Sequence, residues 1–418
     1  MYTRGRWVVV ACAVILASCG GSSDDLGQSG SPDQNGAQSA EATGVGSDVT
    51  PTTNAGPQLP GPASFENPVS ALTQRDDPSL PPPLIDLELL LSGGPAPDGI
   101  PPIDEPKYVA VDEVEFLQPQ DSVLVLEIDG DARAFPAVIM IWHEIANVEV
   151  GGVPVTVSYC PLCNSAVAFV RTHADGTVMD FGTSGLLYNS ALVMYDRQTS
   201  SLWTHFDGLA VHGVLVGNQL ERLPILTTSF ADFAAAHPDG LVLSLDTGLQ
   251  RAYGSNPYPT YDSPKSGTLH PVNYQEGALP AKTRVVAVRE GESVAVVHEL
   301  LFEERVVAFE ADGRRLVALL VPGTASSLDH QLVAFGRDVG ATGVFVPAID
   351  GRQLSFEPTE TGFRDVQTGS DWNIFGVAVA GELEGQRLEA VEHLDTFWFA
   401  IAAYRPDTLV VGAEVLQN

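Results

Sequence analysis

The sequence predicts a mostly β fold of the α+β kind: two tandem β-rich repeats, each with about one helix, after a disordered N-terminal tether. Three observations carry that expectation. Short β-branched runs alternate with Gly and Asp turns. An eight-residue pattern occurs twice, flanked each time by the same kinds of neighbour. Residues 20–68 are Gly, Ser, Asp, Gln, Asn, Ala, Pro and Thr with almost no aromatics, too little apolar surface to offset the entropy of ordering.

The chain opens with MYTRGRW, a short basic stretch carrying Arg4 and Arg6, and continues with the apolar run VVVACAVILA. That run is too short for a spanning helix and has the form of a secretory signal. It ends Leu16-Ala17-Ser18-Cys19, the order of a bacterial lipobox. The lipoprotein peptidase needs small side chains before the cut, and the thiol takes the lipid. Residues 1–18 are therefore read as a lipoprotein signal peptide, and residues 19–69 as the lipidated Cys19 and its linker. Several acyl chains on one residue anchor stably where one chain binds only marginally. The expected location is the cell envelope, extracytoplasmic and lipid-anchored, with the membrane as the partner of the N-terminus.

Residues 70–104 form a Pro-rich lead-in, extended except for one short helical turn or strand over 84–91. Strands are expected over 123–128, 153–159, 166–170, 186–195, 211–216 and 241–245, separated by turns such as Asp129-Gly130, Gly151-Gly152 and Asp175-Gly176. Thr228-Ser229 ahead of FADFAAA is an N-cap-like helix start, and His237-Pro238 is its stop. A partner helix runs from Leu394-Asp395 through FWFAIAAY to Pro406.

The pattern D-x-Q-T-[SG]-S-x-W begins at Asp196 and again at Asp365, 365 − 196 = 169 positions later, and ends at Trp203 and Trp372. GLAVHG (208–213) and GVAVAG (376–381) follow the two occurrences. FAAAHPDGLVLS (233–244) then corresponds to FAIAAYRPDTLVVG (399–412), and upstream VLVLEIDGDARAFP (123–136) echoes VVAVREGESVAVVH (285–298). Matches in one order imply structural repeats. The boundaries read are 105–255 for the first repeat, 256–281 for a connecting loop and 282–418 for the second repeat.

The repeats differ where chemistry would sit. VTVSYCPLCNSAVAF (155–169) lies opposite LVALLVPGTASSL (316–328), and only the first has thiols. Of four cysteines, Cys12 leaves with the signal and Cys19 carries lipid, so Cys160 and Cys163 remain. Outside the cytosol their partners are each other, a metal or an oxidant.

WHEIAN (142–147), VGGVPVTVSYCPLCNSAVAF (150–169), FGTSGLLYNSALVMYDRQTSSLW (181–203) and FRDVQTGSDWN (363–373) together resemble the DUF3179 family, exported bacterial and archaeal proteins. The resemblance spans about residues 95–416. Members typically carry a CPLC-type motif, an HEI segment before it and a DRQT-S-LW segment after it, and this chain has all three. The resemblance implies a common fold and supplies no reaction.

Three functions fit the residues. The first is a soft transition-metal site, copper or zinc, with Cys160 and Cys163 as a claw and His143, His205 and His212 as further ligands. The second is thiol–disulfide chemistry, since C-x-x-C is the spacing of redox dithiols, with a permanent small-loop disulfide as its bland counterpart. The third is a non-catalytic binding module presenting Tyr253, Tyr258 and Tyr261. Ser184 and Asn189, in the tightly turned GTSGLLYNS, are placed to support the thiol site. Asp196 and Trp203 occur in both repeats, with or without thiols, and so read as a structural corner: Asp and Thr bonding backbone amides, Trp filling the core.

Several classes are excluded. There is no phosphate loop, HExxH, haem CxxCH or nucleophile elbow. With 21 basic and 53 acidic residues the net charge is -32, and removing Arg4 and Arg6 with the signal gives −32 − 2 = −34. Such a surface repels nucleic acid, so no nucleic-acid partner is expected.

Overall fold

Turn chemistry decides where the strands stop. In the computed structural model, Asp129-Gly130, Gly151-Gly152, Asn189-Ser190 and Asp312-Gly313 take positive φ at both positions (49° and 84°, 56° and 77°, 51° and 59°, 50° and 70°). That geometry matches the twist of paired strands. The Asn189-Ser190 turn divides the single strand expected over 186–195 into Phe181–Tyr188 and Ala191–Asp196. No Gly marks this turn, and an Asn-Ser pair rarely adopts it. The structure describes residues 68–274, 278–289 and 291–417, so Cys19 and the signal and linker readings lie outside the described residues.

Three sheets follow. In the first, Ser122–Ile128 lies between Asp131–Pro136 and Leu226–Ser229, and Leu241–Leu243 adds in parallel to Asp131–Pro136. In the second, Ile145–Val150, Val153–Cys160, Ser165–Val170 and Glu221–Leu223 run antiparallel. In the third, Phe181–Tyr188, Ala191–Asp196, Leu202–Thr204 and Ala210–His212 form a meander, with Leu90–Ser92 at its edge.

The same strand order recurs over 284–411. Leu394–Phe397, Arg284–Val288, Val294–Val297 and Leu409–Val411 form one sheet, the last strand again parallel to its neighbour. Val306–Ala311, Arg314–Val321, Ala341–Val346 and Glu389–Ala390 form the next, and Phe356–Pro358, Phe363–Asp365, Asp371–Trp372 and Ala378–Ala380 the third. Each half has two α-helices where one was expected: Ala137–His143 with Phe230–Ala236, and His298–Glu304 with Trp398–Tyr404. Ala137–His143 escaped notice because AVIMIWH is apolar and buried nearly all round, so it shows no amphipathic period. Phe230–Ala236 starts where its cap predicts, Ser229 Oγ accepting from the Asp232 amide at 3.0 Å.

The repeated DxQT segment builds one corner twice. Asp196 accepts from the Thr199 amide at 2.6 Å and from Trp203 Nε1 at 2.8 Å. Asp365 accepts from the Thr368 amide at 2.6 Å and from Trp372 Nε1 at 3.0 Å. Both carboxylates and both indoles are buried. The largest apolar cluster contains Phe135, Phe169 and Trp203 from the first half and Leu319, Phe345, Trp372 and Phe399 from the second, so one core runs through both. The lead-in is part of the fold: Ala71 and Leu90 pack on Val193, Leu202 and Val211, and the Leu84 amide bonds Val211 O at 2.9 Å.

These corners predict a shared sensitivity. Asp196→Ala and Asp365→Ala each strand a buried indole N–H and a buried amide, and each is expected to cost about 2–4 kcal/mol. Urea unfolding of the two variants should show losses of similar size.

Candidate functional site

The two thiols sit at one hairpin turn. Cys160 ends strand Val153–Cys160, and Ser165, its cross-strand partner, opens strand Ser165–Val170. Pro161 to Asn164 make the turn; Asn164 takes φ 52°, a left-handed position Asn tolerates. Both cysteines are free and buried, at 1% and 0% exposure. The second half fixes the turn from behind: Cys163 O accepts from Thr396 Oγ1 at 2.8 Å and from the Phe397 amide at 3.1 Å. In front, Tyr261 donates its hydroxyl to Leu162 O at 2.9 Å.

The thiols have unlike surroundings. Burial works against the Cys160 thiolate, but hydrogen bonds from the Cys163 side chain and from the amides of Leu192, Cys163 and Leu162 prevail and hold this thiol below its ordinary value. The Leu192 amide lies 3.4 Å from Cys160 Sγ. Burial pushes the Cys163 thiol well up, and the Cys160 partner adds to the rise. Cys163 Sγ lies 3.0 Å from Ser165 Oγ, which lies 2.9 Å from His205 Nε2; Ser158 Oγ holds the other ring nitrogen, Nδ1, at 2.9 Å. Burial first, and the Arg289 charge second, bring the His205 ring down to about 3, so it stays neutral.

Glu144 completes the set. It follows helix Ala137–His143 at φ 58°, its amide bonded to Met140 O and its carbonyl accepting from the Tyr159 amide, both at 2.7 Å. Arg305 holds the matching position in the second half, at φ 63° after helix His298–Glu304. The backbone turn is thus common to both halves, and the carboxyl belongs to the first. Burial pushes the Glu144 carboxyl well above the carboxylate range, and the nearby Cys160 adds to the shift. Its carboxyl is thus within electrostatic reach of Cys160.

The structure does not assemble the expected claw. Among the described residues, no three His, Cys, Asp or Glu side chains form a group able to hold a metal ion. His143 is turned away: Nδ1 meets Pro101 O at 2.7 Å and Nε2 meets Tyr253 OH at 2.6 Å. His212 ends the edge strand Ala210–His212 of the third sheet, with Nε2 at 2.8 Å from Arg75 O. Of the three histidines only His205 reaches the thiols, through a serine. Ser184 caps a bulge instead, its hydroxyl donating to Val193 O and accepting from the Leu186 amide at 3.0 Å. Asn189 takes the Asn273 amide at 3.1 Å and helps turn the chain that brings Leu192 to Cys160. Asp196 and Trp203 serve each other. Sequence reasoning gave no role to Glu144, although HEI was in view, nor to Ser158 and Ser165, which flank the motif.

His205 makes stability depend on pH. Its folded value lies below the unfolded one of about 6.5, so the unfolded chain takes up a proton first as pH falls. The contribution is complete above that value and lost below it, by about 2 kcal/mol between about pH 6.5 and about pH 5. His205→Gln should flatten the stability profile over this interval relative to the parent, as read by urea melts at stepped pH.

No curated protein and no solved structure matches this chain. A family model does, over residues 97–408, and its description is a protein of unknown function. That span is well over half of the sequence and contains every residue of the site described above. The chain belongs to the DUF3179 family.

Proposed function

We propose that Cys160 and Cys163 are a reversible dithiol/disulfide pair, and that the protein exchanges disulfides in the cell envelope. The observation that carries this reading is the asymmetry of the two thiols. Cys160 Sγ accepts from the Leu192 amide at 3.4 Å, which favours its thiolate, whereas Cys163 Sγ faces the Ser165 hydroxyl at 3.0 Å and burial pushes its thiol up. A nucleophile and a resolving thiol need this division. The lipobox ending at Cys19 supports the envelope placement, and the one-for-one strand order supports the reading as tandem repeats, of which only the first has thiols.

The step balances as follows. The Cys160 thiolate attacks one sulfur of an external disulfide, that S–S bond breaks, and Glu144 gives its proton to the departing thiolate. Cys163 then attacks Cys160 Sγ, yielding its own proton to the Glu144 carboxylate, and the second external thiolate leaves. The protein gains one disulfide and the partner becomes two sulfur products, one thiol and one thiolate. Ser165 and His205 orient Cys163 and take no net charge.

The test is a redox titration. The full chain is equilibrated in graded glutathione buffers, acid-quenched, and analysed by mass spectrometry for thiol content and by elemental analysis for copper and zinc. The expected result is one intramolecular disulfide with a midpoint less reducing than about −300 mV, where structural disulfides lie. Cys160→Ser abolishes it, and Glu144→Gln slows exchange about 100-fold. A pair that never forms, a midpoint below that limit, or near-stoichiometric metal lost in the double serine variant would each defeat the reading, the last in favour of the copper or zinc site.

A further inference from the structure

Cys160 and Cys163 are 1% and 0% exposed, yet disulfide exchange needs a sulfur that a partner can reach. Over the thiol turn lies the stretch Pro257-Tyr258-Pro259-Thr260-Tyr261, from the part of the chain that joins the two halves. Pro257, Pro259 and Thr260 are exposed, Tyr258 is half-buried and Tyr261 is buried, so the two tyrosines face inward. The Tyr261 hydroxyl donates to Leu162 O, in the thiol turn, at 2.9 Å. Both phenols lie within electrostatic reach of Cys160.

The stretch is fixed at its two ends and lightly held between them. At one end Asn256 gives its amide to Gln331 O at 2.8 Å and its side-chain amide to His330 O at 3.1 Å. At the other, Asp262 accepts from Arg284 at 2.8 Å, Ser326 at 2.5 Å and Arg337 at 3.2 Å. Between them the two prolines have no N–H to give. The Tyr258 amide goes to Asn256 Oδ1 at 2.7 Å and the Tyr261 amide to Tyr258 O at 3.1 Å, so both stay local. The Thr260 amide reaches the body, at Asp329 O, 2.6 Å away. Thr260 takes φ 64°, a costly position for a β-branched residue, and such strain persists only where surrounding structure imposes it. The Tyr261 ring also rests on an unsatisfied group. Lys282 Nζ, buried without a hydrogen-bond partner, sits 2.9 Å from the Tyr261 ring centre and 4.0 Å from that of Phe397. Turning Tyr261 outward therefore gives up a cation–π contact but lets water meet the unpartnered amine.

We infer that residues 257–261 are a gate over the thiols. Tyr258 and Tyr261 swing outward about the fixed Asn256 and Asp262, the Thr260–Asp329 and Tyr261–Leu162 bonds break, and Cys160 becomes open to an external disulfide. Hydration of Lys282 and release of the Thr260 backbone offset part of what the two bonds supplied. The gate serves the disulfide exchange proposed above and rests on that reading for its purpose, not for its opening.

The thiols themselves report the opening. The reduced full chain is exposed to iodoacetamide in urea, from zero to just below its unfolding transition, and modification of Cys160 is followed by peptide mass spectrometry. Local opening exposes little surface, so the expected rate is nearly flat in dilute urea and steepens only as global unfolding takes over. Tyr261→Phe deletes the bond to Leu162 O and keeps the ring on Lys282; it is expected to raise the flat rate about tenfold. Asp365→Ala, which weakens the corner of the second half, is expected to leave that rate unchanged. No modification below the transition, a rate with the full unfolding slope at every urea concentration, or equal acceleration in the two variants overturns the gate. These failures are separate from failure of the exchange reading. The full unfolding slope defeats the gate even where the glutathione titration forms the pair, and a flat, Tyr261-dependent rate supports it even where no pair forms.

Discussion

The carbonyl of Cys163 is the point on which the site depends. It accepts two hydrogen bonds, from Thr396 Oγ1 and the Phe397 amide, and both donors belong to strand Leu394–Phe397 in the other half of the chain. A buried carbonyl must be satisfied, and here both of its donors come from the other half. The turn with both thiols therefore has its geometry only when the two halves are docked. The Tyr159 hydroxyl, 2.7 Å from Ser327 Oγ, ties the preceding strand to the second half in the same way.

The second half thus contributes to the thiol turn although it carries no thiol itself. Its third sheet repeats the Asp–Thr–Trp corner, and its second sheet repeats the strand that ends in Cys160. At Val321 the two diverge. The first half turns tightly through CPLC into Ser165–Val170, whereas the second runs 19 residues (322–340) to strand Ala341–Val346. Within that excursion lie Ser326, Ser327 and Arg337, the groups that meet Tyr159 and Asp262. The 322–340 segment thus meets Tyr159 and Asp262 from the second half.

Much of the fold was legible because its signals are local. Asp-Gly and Gly-Gly turns, the Ser229 cap and the doubled DxQT pattern are all short-range facts, and each marks an element the structure contains. The missed helix of the first half left no such mark, since AVIMIWH is apolar and buried nearly all round. The thiol pair was equally visible. Its environment was not, because chain distance hides it: Glu144 and Leu192 lie 16 residues before and 32 after Cys160 (160 − 144 and 192 − 160), and only the pairing of Ile145–Val150 with Val153–Cys160 brings the first one close. Histidines misled for the converse reason. Imidazole in a motif attracts a metal reading, yet His143 and His212 satisfy backbone carbonyls, the commoner fate of a buried ring.

Burial itself decides which reading of the dithiol is the stronger. Inert structural cysteines sit in apolar surroundings and are raised together. Here the two thiols share near-zero exposure and one turn but differ in their neighbours: the Leu192 amide lies 3.4 Å from Cys160 Sγ, and Ser165 Oγ lies 3.0 Å from Cys163 Sγ. Aiming the Leu192 amide at Cys160 Sγ takes a turn with two non-glycine residues at positive φ, Asn189 and Ser190. Holding a carboxyl near the same sulfur takes a third, Glu144. Such conformations cost about 1–3 kcal/mol each and persist where surrounding structure imposes them. Three of them, Asn189, Ser190 and Glu144, lie in the segments that lead to the Leu192 amide and the Glu144 carboxyl. In the second half, Arg305 retains the positive φ of the Glu144 position but brings no acid to it. Its backbone follows the fold, and what distinguishes the first half is the set of side chains placed on that backbone.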